Sequence, residues 1–493
     1  MSHMTVPAPA VPESDRLSRR AWGTLLVLCG ALFLDALDVS MIGVALPSIR
    51  TDLNLTTDSL QWIVSAYVLG YGGFLLLGGR AADLLGRRRV FLISLAVFLV
   101  ASGLGGIATG AGFLIATRFI KGISAAFTAP AGFSIITTSF PEGAARNKAL
   151  AVYTATGATG FSLGLVFGGL LTEVGWRWVF FVPVVVSALV LAAATRLVPA
   201  SKAPDLHARS FDAPGAIGMT AAMLLLVYTL VEASSVGWGS ARTLLSFVLS
   251  GLMIAGFIAW EQRTRLPLIR LGIFRSGPLV RANLAAMALF GSWVGFQFIL
   301  TLYLQQARGW SSLETGVAIF PAGLIVAVLA SRIAPFVARF GVKRLIVTGL
   351  TTISVAYALF LPIGLNSAYV TAMLPTFILA GLGFGLAFGP VNIAAVTGVA
   401  AHEQGLAGGL INTSFQFGGA LVLAVVTAVN NANTGAGGSG QALLDGFHPA
   451  IAVSLVAALL GVLAMTIPGR RRALATARAE ETELAPELEL DAA

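Results

Sequence analysis

The chain has 493 residues, of which 57% are hydrophobic and 11% are charged, and its formal net charge at pH 7 is +9. This excess of apolar residues excludes an ordinary soluble domain and indicates an integral membrane protein. A basic balance also suggests nucleic acid, but here the basic residues are dispersed over short loops. The single cysteine, Cys29, excludes an intrachain disulfide.

Apolar stretches follow one another along the whole chain, and each holds one or two spans of about 20 residues. Fourteen membrane-spanning helices are predicted. They lie at about 21–49, 59–80, 89–109, 112–139, 148–172, 177–198, 212–232, 241–262, 278–306, 313–338, 344–364, 370–397, 404–431 and 447–468. Residues 1–20 are expected to form a disordered cytoplasmic N-terminus, and residues 471–493 a cytoplasmic tail.

The positions of the basic residues predict the orientation in the membrane. Counted from an N-terminus on the inside, most of the 31 lysines and arginines fall in inner loops and tails. With an even number of spans, both termini are then cytoplasmic, as expected for a multi-pass protein of the plasma membrane. The first apolar segment is too long for a cleavable signal peptide.

The loop after the second span reads Gly-Arg-Ala-Ala-Asp-Leu-Leu-Gly-Arg-Arg-Arg over residues 79–89. Its glycines allow tight turns, its acid lies at a helix end, and its arginines suit an inner loop. The sequence resembles the cytoplasmic signature loop of major facilitator transporters, whereas the alternative is an ordinary basic turn. The resemblance implies a gating role for Gly79, Asp83, Gly86, Arg87, Arg88 and Arg89.

An internal repeat supports the same family. Residues 338–344 echo residues 83–89, with Ala338 in place of the acid. With six spans before the inserted pair and six after it, the resemblance implies an all-α major facilitator fold of two six-helix bundles plus two central helices. The expected units are an N-terminal bundle at 21–200, the inserted helices at 201–265 and a C-terminal bundle at 266–470, with the substrate cavity between the bundles.

Two acids lie in the first span, Asp35 and Asp38, one helical turn apart. The spacing from Asp38 to Pro47 resembles the first-span motif of fourteen-span drug/proton antiporters, in which Asp35 is an addition. A carboxyl group at this depth is costly unless it faces a bundle interior or a watery cavity, and burial favours its neutral form. Both acids are therefore predicted to take part in proton coupling as an interacting pair. A hydrogen-bonded structural acid is the alternative.

The fourth span opens with an intramembrane arginine, Arg118, followed by Lys121 and Gly122. This resembles a family motif in which an arginine precedes a Gly/Ala-rich helix, with Lys121 where glutamine is common. Arg118 is permanently charged, so it cannot carry the proton, but it can hold an acid deprotonated. It is predicted to belong to the coupling machinery; the alternative is an interfacial anchor.

Glycines recur along one face of the fifth span and predict close helix packing. The pattern resembles the antiporter-signature motif of drug exporters, although Leu165 replaces the proline that normally follows Gly164 and leaves the transport direction open. The residues Trp176, Arg177 and Trp178 match the same exporter family. The glycines of the motif are Gly157, Gly160, Gly164, Gly168 and Gly169.

Uncharged polar and aromatic positions are candidates to line the substrate cavity. Two pairs lie four residues apart on a helix, Gln297 with Thr301 and Asn412 with Gln416. Interhelical hydrogen bonds are the alternative use of such side chains. The candidates are Trp62, Tyr67, Phe296, Gln297, Thr301, Asn412, Phe415 and Gln416.

The sequence contains neither the motif of a phosphate-binding loop nor a cluster of histidines and cysteines that could bind a metal, so no cofactor is predicted. The resemblance implies a transporter, not an enzyme, that exports lipophilic, neutral or cationic small molecules in exchange for protons, as in multidrug or antibiotic efflux. Its expected partners are the substrate, protons and the lipid bilayer, without nucleic acid, and it is expected to work as a monomer. The alternatives are a dedicated exporter of one endogenous metabolite, a proton-coupled importer and, more remotely, a receptor or scaffold.

Overall fold

The computed structural model describes residues 18–140, 144–199, 212–264, 271–397, 399, 404–434 and 440–467. The predicted tail and nearly all of the predicted N-terminal extension lie outside these ranges. Within them the chain forms fourteen α-helices and no strand. They are α1 (Arg19–Leu53), α2 (Thr57–Leu85), α3 (Arg87–Gly106), α4 (Ala111–Ser139), α5 (Ala144–Val174), α6 (Trp178–Leu197), α7 (Ala213–Val236), α8 (Ala241–Arg263), α9 (Gly277–Leu302), α10 (Ser312–Phe340), α11 (Val342–Phe360), α12 (Leu374–Val396), α13 (Gln404–Asn433) and α14 (Gly440–Thr466).

The apolar composition of these helices suits a lipid surrounding. Over the described residues, twelve helices are long and apolar enough to cross a membrane, and α7 adds a shorter apolar stretch at 217–233. The prediction of an all-α integral membrane protein is confirmed, and each predicted span coincides with a described helix.

The helix contacts repeat between the two halves of the chain. In the first half α1 packs on α5 and α6, α2 packs on α4, and α3 packs on α4 and α6. The same pairings recur eight helices later, because α9 packs on α13 and α14, α10 on α12, and α11 on α12 and α14. The bundles meet along two seams, α5 with α10 and α2 with α13. The two seams are equivalent, because α2 corresponds to α10 and α5 corresponds to α13. This is the two-bundle arrangement that the echoed loop predicts, while the residue boundaries of the units stay a prediction.

A glycine in the left-handed region closes the corresponding turn in each half. Gly86 joins α2 to α3 with φ +91°, and Gly341 joins α10 to α11 with φ +77°. A side chain at either position would clash with the backbone, so glycine lets both helices be joined directly. The sequence repeat therefore corresponds to a repeated turn in the structure.

The inserted helices pack on one side of the two-bundle core. α7 contacts α2, α13 and α8, so it covers the seam between α2 and α13. Leu224 fills the space over Gly73 of α2, and the Tyr228 ring lies 5.6 Å from that of Trp62. At the start of α7, Asp212 accepts a 2.9 Å hydrogen bond from the indole of Trp260 on α8.

The glycine face of α5 lies directly on α1. A Cβ atom at Gly164 would lie 2.0 Å from Ser40 Oγ and 2.7 Å from the Leu37 carbonyl oxygen. Gly160 and Gly168 approach the backbone of α1 in the same way, whereas Gly157 meets a leucine side chain and Gly169 meets the start of α10. Small residues thus bring three helices together at backbone contact.

Several contacts join the bundles at the face where α1 ends, called the outer face after the predicted orientation. Arg50 donates to Gln306 Oε1 at 3.0 Å, and Gln305 donates to the Val44 carbonyl at 2.9 Å. The hydroxyls of Ser48 and Ser312 lie 3.4 Å apart. These contacts close the outer face between the bundles.

We expect Gly164→Ala to destabilise the protein, because the added methyl group overlaps Ser40 and the α1 backbone. Overpacking of this kind costs about 1–3 kcal/mol. The thermal unfolding midpoint of the purified protein in detergent measures the effect. Gly251→Ala on α8 is the matched control, since an added Cβ there has no neighbour within 4 Å. Equal midpoints for the two variants would contradict the packing assigned to α5.

Candidate functional site

The centre of the first bundle holds one acid between two cations. Asp38 accepts hydrogen bonds from Arg118 through one carboxylate oxygen and from Lys121 through the other. Asp38 and Arg118 are each 1% exposed, and Lys121 is fully buried. A buried charge without a partner is costly in protein or lipid, so these three side chains require one another.

The sequence of α4 explains why both cations meet the same acid. Arg118 and Lys121 are three residues apart and therefore share a helix face. Close packing of Gly122 on the Tyr67 carbonyl brings this face to α2. There Arg118 donates to the Ile63 carbonyl at 3.2 Å.

Aromatic rings surround the cations. The Arg118 guanidinium lies 4.7 Å from the centre of the Tyr67 ring, and Lys121 Nζ lies 4.6 Å from that of Phe98. A ring face attracts a cation most strongly where water is absent. The rings therefore stabilise charges that Asp38 alone would balance incompletely.

Asp35 occupies a different environment, one turn before Asp38. Its carboxylate accepts a 2.5 Å hydrogen bond from the Tyr67 hydroxyl, and its side chain has intermediate exposure, in contrast to the closed surroundings of Asp38. Tyr67 thus touches both parts of the site, with its hydroxyl at Asp35 and its ring at Arg118.

The Asp35 side of α1 faces the second bundle. Asp35, Val39 and Gly43 follow one another at intervals of four residues, which places them on one helix face. At Gly43 this face meets the second bundle directly, since a Cβ atom there would lie 3.2 Å from the Gln297 side-chain nitrogen. Asp35 therefore lies on the α1 face that meets the second bundle.

The signature loop is described in part. Its Gly86 makes the turn reported above, and Arg88 donates to the Thr195 carbonyl at the end of α6. Arg87 is half-buried, Arg89 is exposed, and Gly79 lies near Pro130 of α4. The side chain of Asp83 lies outside the described part, so its gating role stays a prediction.

Three of the predicted cavity residues lie at or near the surface between the bundles. Gln297 reaches α1, Tyr67 binds Asp35, and Gln416 of α13 lies against Gly72 of α2. Phe415 belongs to a cluster of rings with Phe290 and Phe388, at centroid distances of 5.9 and 5.3 Å.

The other four cavity candidates have neighbours elsewhere. Trp62 packs on the inserted helix α7, and Phe296 stacks on Tyr357 with 4.4 Å between ring centroids. Thr301 is buried and donates to the Gln297 carbonyl of its own helix, while the exposed Asn412 donates to the Gly408 carbonyl. Their contact with substrate stays a prediction.

Two residues of this region were not predicted as site residues. The motif gives Lys121 only as a replacement for glutamine, although the spacing of Lys121 from Arg118 places the two cations on one helix face. Trp293 of α9 lies 6.2 Å from Phe161 of α5, across the interface between the bundles. That contact joins distant helices, and no local pattern in the sequence indicates it.

Comparison with known proteins identifies the family. The family profile described as Major Facilitator Superfamily matches residues 28–423. The chain belongs to the major facilitator superfamily. Among its relatives, the puromycin resistance protein pur8 of Streptomyces alboniger is 38% identical over 461 residues, covering 91% of this chain and 90% of that protein. The cephamycin export protein CmcT of Amycolatopsis lactamdurans is 36% identical and covers 87% and 88%, respectively.

Solved structures of major facilitator proteins share the fold. The nucleoside transporter NupG superposes with a TM-score of 0.61 at 14% identity, covering 92% of this chain and all of that one. The protein is therefore a multi-pass membrane transporter and not an enzyme, as the signature loop predicted. Its relatives include antibiotic and multidrug resistance proteins.

We expect Asp38→Asn to destabilise the protein by about 3–5 kcal/mol, because Arg118 and Lys121 would keep two buried charges against Asp35 alone. Adding Lys121→Gln should recover part of this loss, because one acid then faces one cation. Thermal unfolding of the purified variants measures both steps.

Lys148→Gln is the control substitution for this pair, since Lys148 is exposed and lies near Trp22, away from the cluster. It should recover nothing in the Asp38→Asn background. Full stability of Asp38→Asn alone would show that the three charges do not depend on one another.

Proposed function

We propose that the protein exports lipophilic, neutral or cationic small molecules, as in antibiotic or multidrug efflux, in exchange for protons. The observation that carries this proposal is the buried Asp38–Arg118–Lys121 cluster with the more accessible Asp35 one turn away. Relatives named for resistance to puromycin and export of cephamycin support the export direction. The distribution of basic residues supports a plasma-membrane location with both termini in the cytoplasm.

The count of charges suggests how the proton is taken up. With both acids ionised, Asp35 and Asp38 balance Arg118 and Lys121, and the site is neutral as a whole. Protonation of either acid leaves one net positive charge in a region of low dielectric constant. The site therefore has two charge states that differ by one proton.

The surroundings of the two acids favour Asp35 as the residue that accepts the proton. Asp38 is buried and bound by two cations, so its protonation would weaken two charge-assisted hydrogen bonds. Asp35 accepts a hydrogen bond from the Tyr67 hydroxyl, without a cation bound to it among the described residues, and lies on the face toward the second bundle. In this proposal Asp38 stays ionised between its two cations while Asp35 takes up and releases the proton, although the resemblance to the antiporter motif rests on Asp38.

Competition between proton and cargo then couples the two movements. A protonated Asp35 leaves the site with a net positive charge, which opposes a cationic cargo. Loss of the proton removes that repulsion and frees a carboxylate that accepts hydrogen bonds from neutral cargo as well. A transporter with these preferences exchanges cargo for a proton at one site.

The bundle contacts suit alternating access. The contacts of Arg50, Ser48 and Gln305 with the second bundle close the outer face in this structure. The proposed cycle opens the outer face by rocking one bundle against the other, with the site between them. Cargo would enter from the cytoplasmic side while these outer contacts hold.

We expect Asp35→Asn to uncouple transport from the proton gradient without unfolding the protein, because the amide keeps the shape but does not titrate. Ethidium serves as the probe in proteoliposomes with an imposed pH gradient. Gradient-driven ethidium movement should fall to the level of protein-free liposomes, while ethidium exchange without a gradient continues.

Glu232→Gln is the control for this substitution, since Glu232 lies 3.4 Å from Arg242 at the outer ends of the inserted helices. It should leave gradient-driven transport unchanged. If the Asp35→Asn protein stayed coupled to the proton gradient and a folded Asp38→Asn protein did not, Asp38 and not Asp35 would be the residue that accepts the proton. Movement of ethidium in the direction of proton flow would make the protein an importer.

A disulfide across the outer face should stop the cycle. In a Cys29→Ser background, the pair Ser48→Cys and Ser312→Cys joins α1 to α10 where the native hydroxyls lie 3.4 Å apart. Oxidation should abolish ethidium transport, and a reductant should restore it. The control pair Asn283→Cys and Ser414→Cys lies within the second bundle and should leave transport active after oxidation. Unchanged transport in the fully cross-linked Ser48/Ser312 pair would argue against opening at this face.

A further inference from the structure

Aromatic rings form a continuous row from the first bundle into the second. Phe161 of α5 contacts Trp293 of α9, with 6.2 Å between the ring centroids. Trp293 in turn contacts Phe384 of α12 at 4.7 Å, and Phe384 stacks on Phe388 at 5.4 Å. Phe161, Trp293 and Phe384 lie near the middle of their helices.

The Trp293 side chain carries a polar group that the protein leaves unused. Trp293 is only 6% exposed, and among the described residues its indole N–H has no hydrogen-bond partner. Buried indole N–H groups usually have a partner, because an unmade hydrogen bond in a dry site is unfavourable. Trp293 and Gln297 also line a narrow recess that reaches Ile319 of α10. The residue that carries the unpaired donor therefore also lines a recess between α9, α10 and α12 of the second bundle.

The geometry at Phe161 and Trp293 is close to that needed to hold a flat molecule. Two parallel rings that enclose a third need about 7 Å between them, since each ring contact takes about 3.5 Å. The present centroid distance is 6.2 Å, and the planes are inclined at 59°. A displacement of about 1 Å with a ring rotation would admit a planar guest. The two rings belong to different bundles, so the proposed rocking motion changes this distance.

We propose that planar aromatic molecules bearing a hydrogen-bond acceptor bind between Phe161 and Trp293, with the indole N–H of Trp293 donating to the acceptor. This cargo class rests on the proposed export function and narrows it. The rings supply stacking for the flat part of the guest, and the N–H distinguishes guests with an acceptor from guests without one. The Gln297 amide beside Trp293 offers a second polar contact at the same wall.

Two flat probes, each with three fused rings, test this site. N-methylacridone has a carbonyl acceptor and no N–H donor, whereas anthracene is equally neutral and flat but lacks the acceptor. Fluorescence titration of the full chain in nanodiscs, without any ion gradient, gives the dissociation constant of each probe. Trp293→Phe keeps a ring but removes the N–H. It should weaken N-methylacridone binding roughly three- to tenfold and leave anthracene binding within about twofold.

Phe161→Ala tests the opposite wall and does not depend on the folding of a Trp293 variant. It should weaken both probes by roughly two- to tenfold, because each loses a stacking partner. Trp310→Phe is the matched control, since Trp310 packs on Tyr369 outside the row. It should leave both dissociation constants unchanged.

Other results would overturn the site. If Trp293→Phe weakened the binding of both probes equally, Trp293 would act only through packing. If Phe161→Ala left both dissociation constants unchanged, the probes would not bind between Phe161 and Trp293. Absence of binding by the parent protein would reject the cargo class. If ethidium export persists in any of these cases, only this site fails. Probe binding with no gradient-driven ethidium movement would instead reject the proposed export function.

Discussion

A charge in a medium without water must be balanced by protein groups, and this constraint organises the first bundle. Asp38 meets two cations, and Arg118 reaches a backbone carbonyl of α2, so one cluster ties α1, α2 and α4 together. Glycines let α4 and α5 approach their neighbours at backbone distance, which brings the charged side chains within reach of one another. Close helix packing and ion pairing therefore support each other at this site.

The two bundles share one helix arrangement but differ in chemistry. The first places charged groups at its centre, whereas the described face of the second bundle toward it presents amides and aromatic rings, such as Gln297 and Trp293. A flat, lipophilic molecule with a polar group suits such a pair of surfaces, because one wall offers stacking and the other a titratable carboxylate. The two bundles thus share one backbone arrangement, while their side chains differ: the first bundle contributes charged groups and the second contributes amides and aromatic rings.

Much of this structure could be predicted from local sequence patterns. Apolar length predicted the helices, the repeated loop predicted the turns at Gly86 and Gly341, and glycine spacing predicted that α5 packs closely on another helix. The partners of buried polar groups were harder to predict. Lys121 at Asp38 and Trp293 at Phe161 depend on how distant helices are placed, and a hydrophobicity pattern carries no such information. The different surroundings of Asp35 and Asp38 likewise arise from tertiary contacts.

The position of α7 gives the transporter two unlike sides. The helix pairings alone would produce two equivalent seams between the bundles, one along α2 and α13 and one along α5 and α10. α7 lies over the first, whereas at the second α5 and α10 expose the apolar side chains of Phe167, Val317 and Leu324. A molecule dissolved in the bilayer therefore meets a different surface on each side of the transporter. One side presents the inserted helix α7, and the other presents the apolar side chains of α5 and α10.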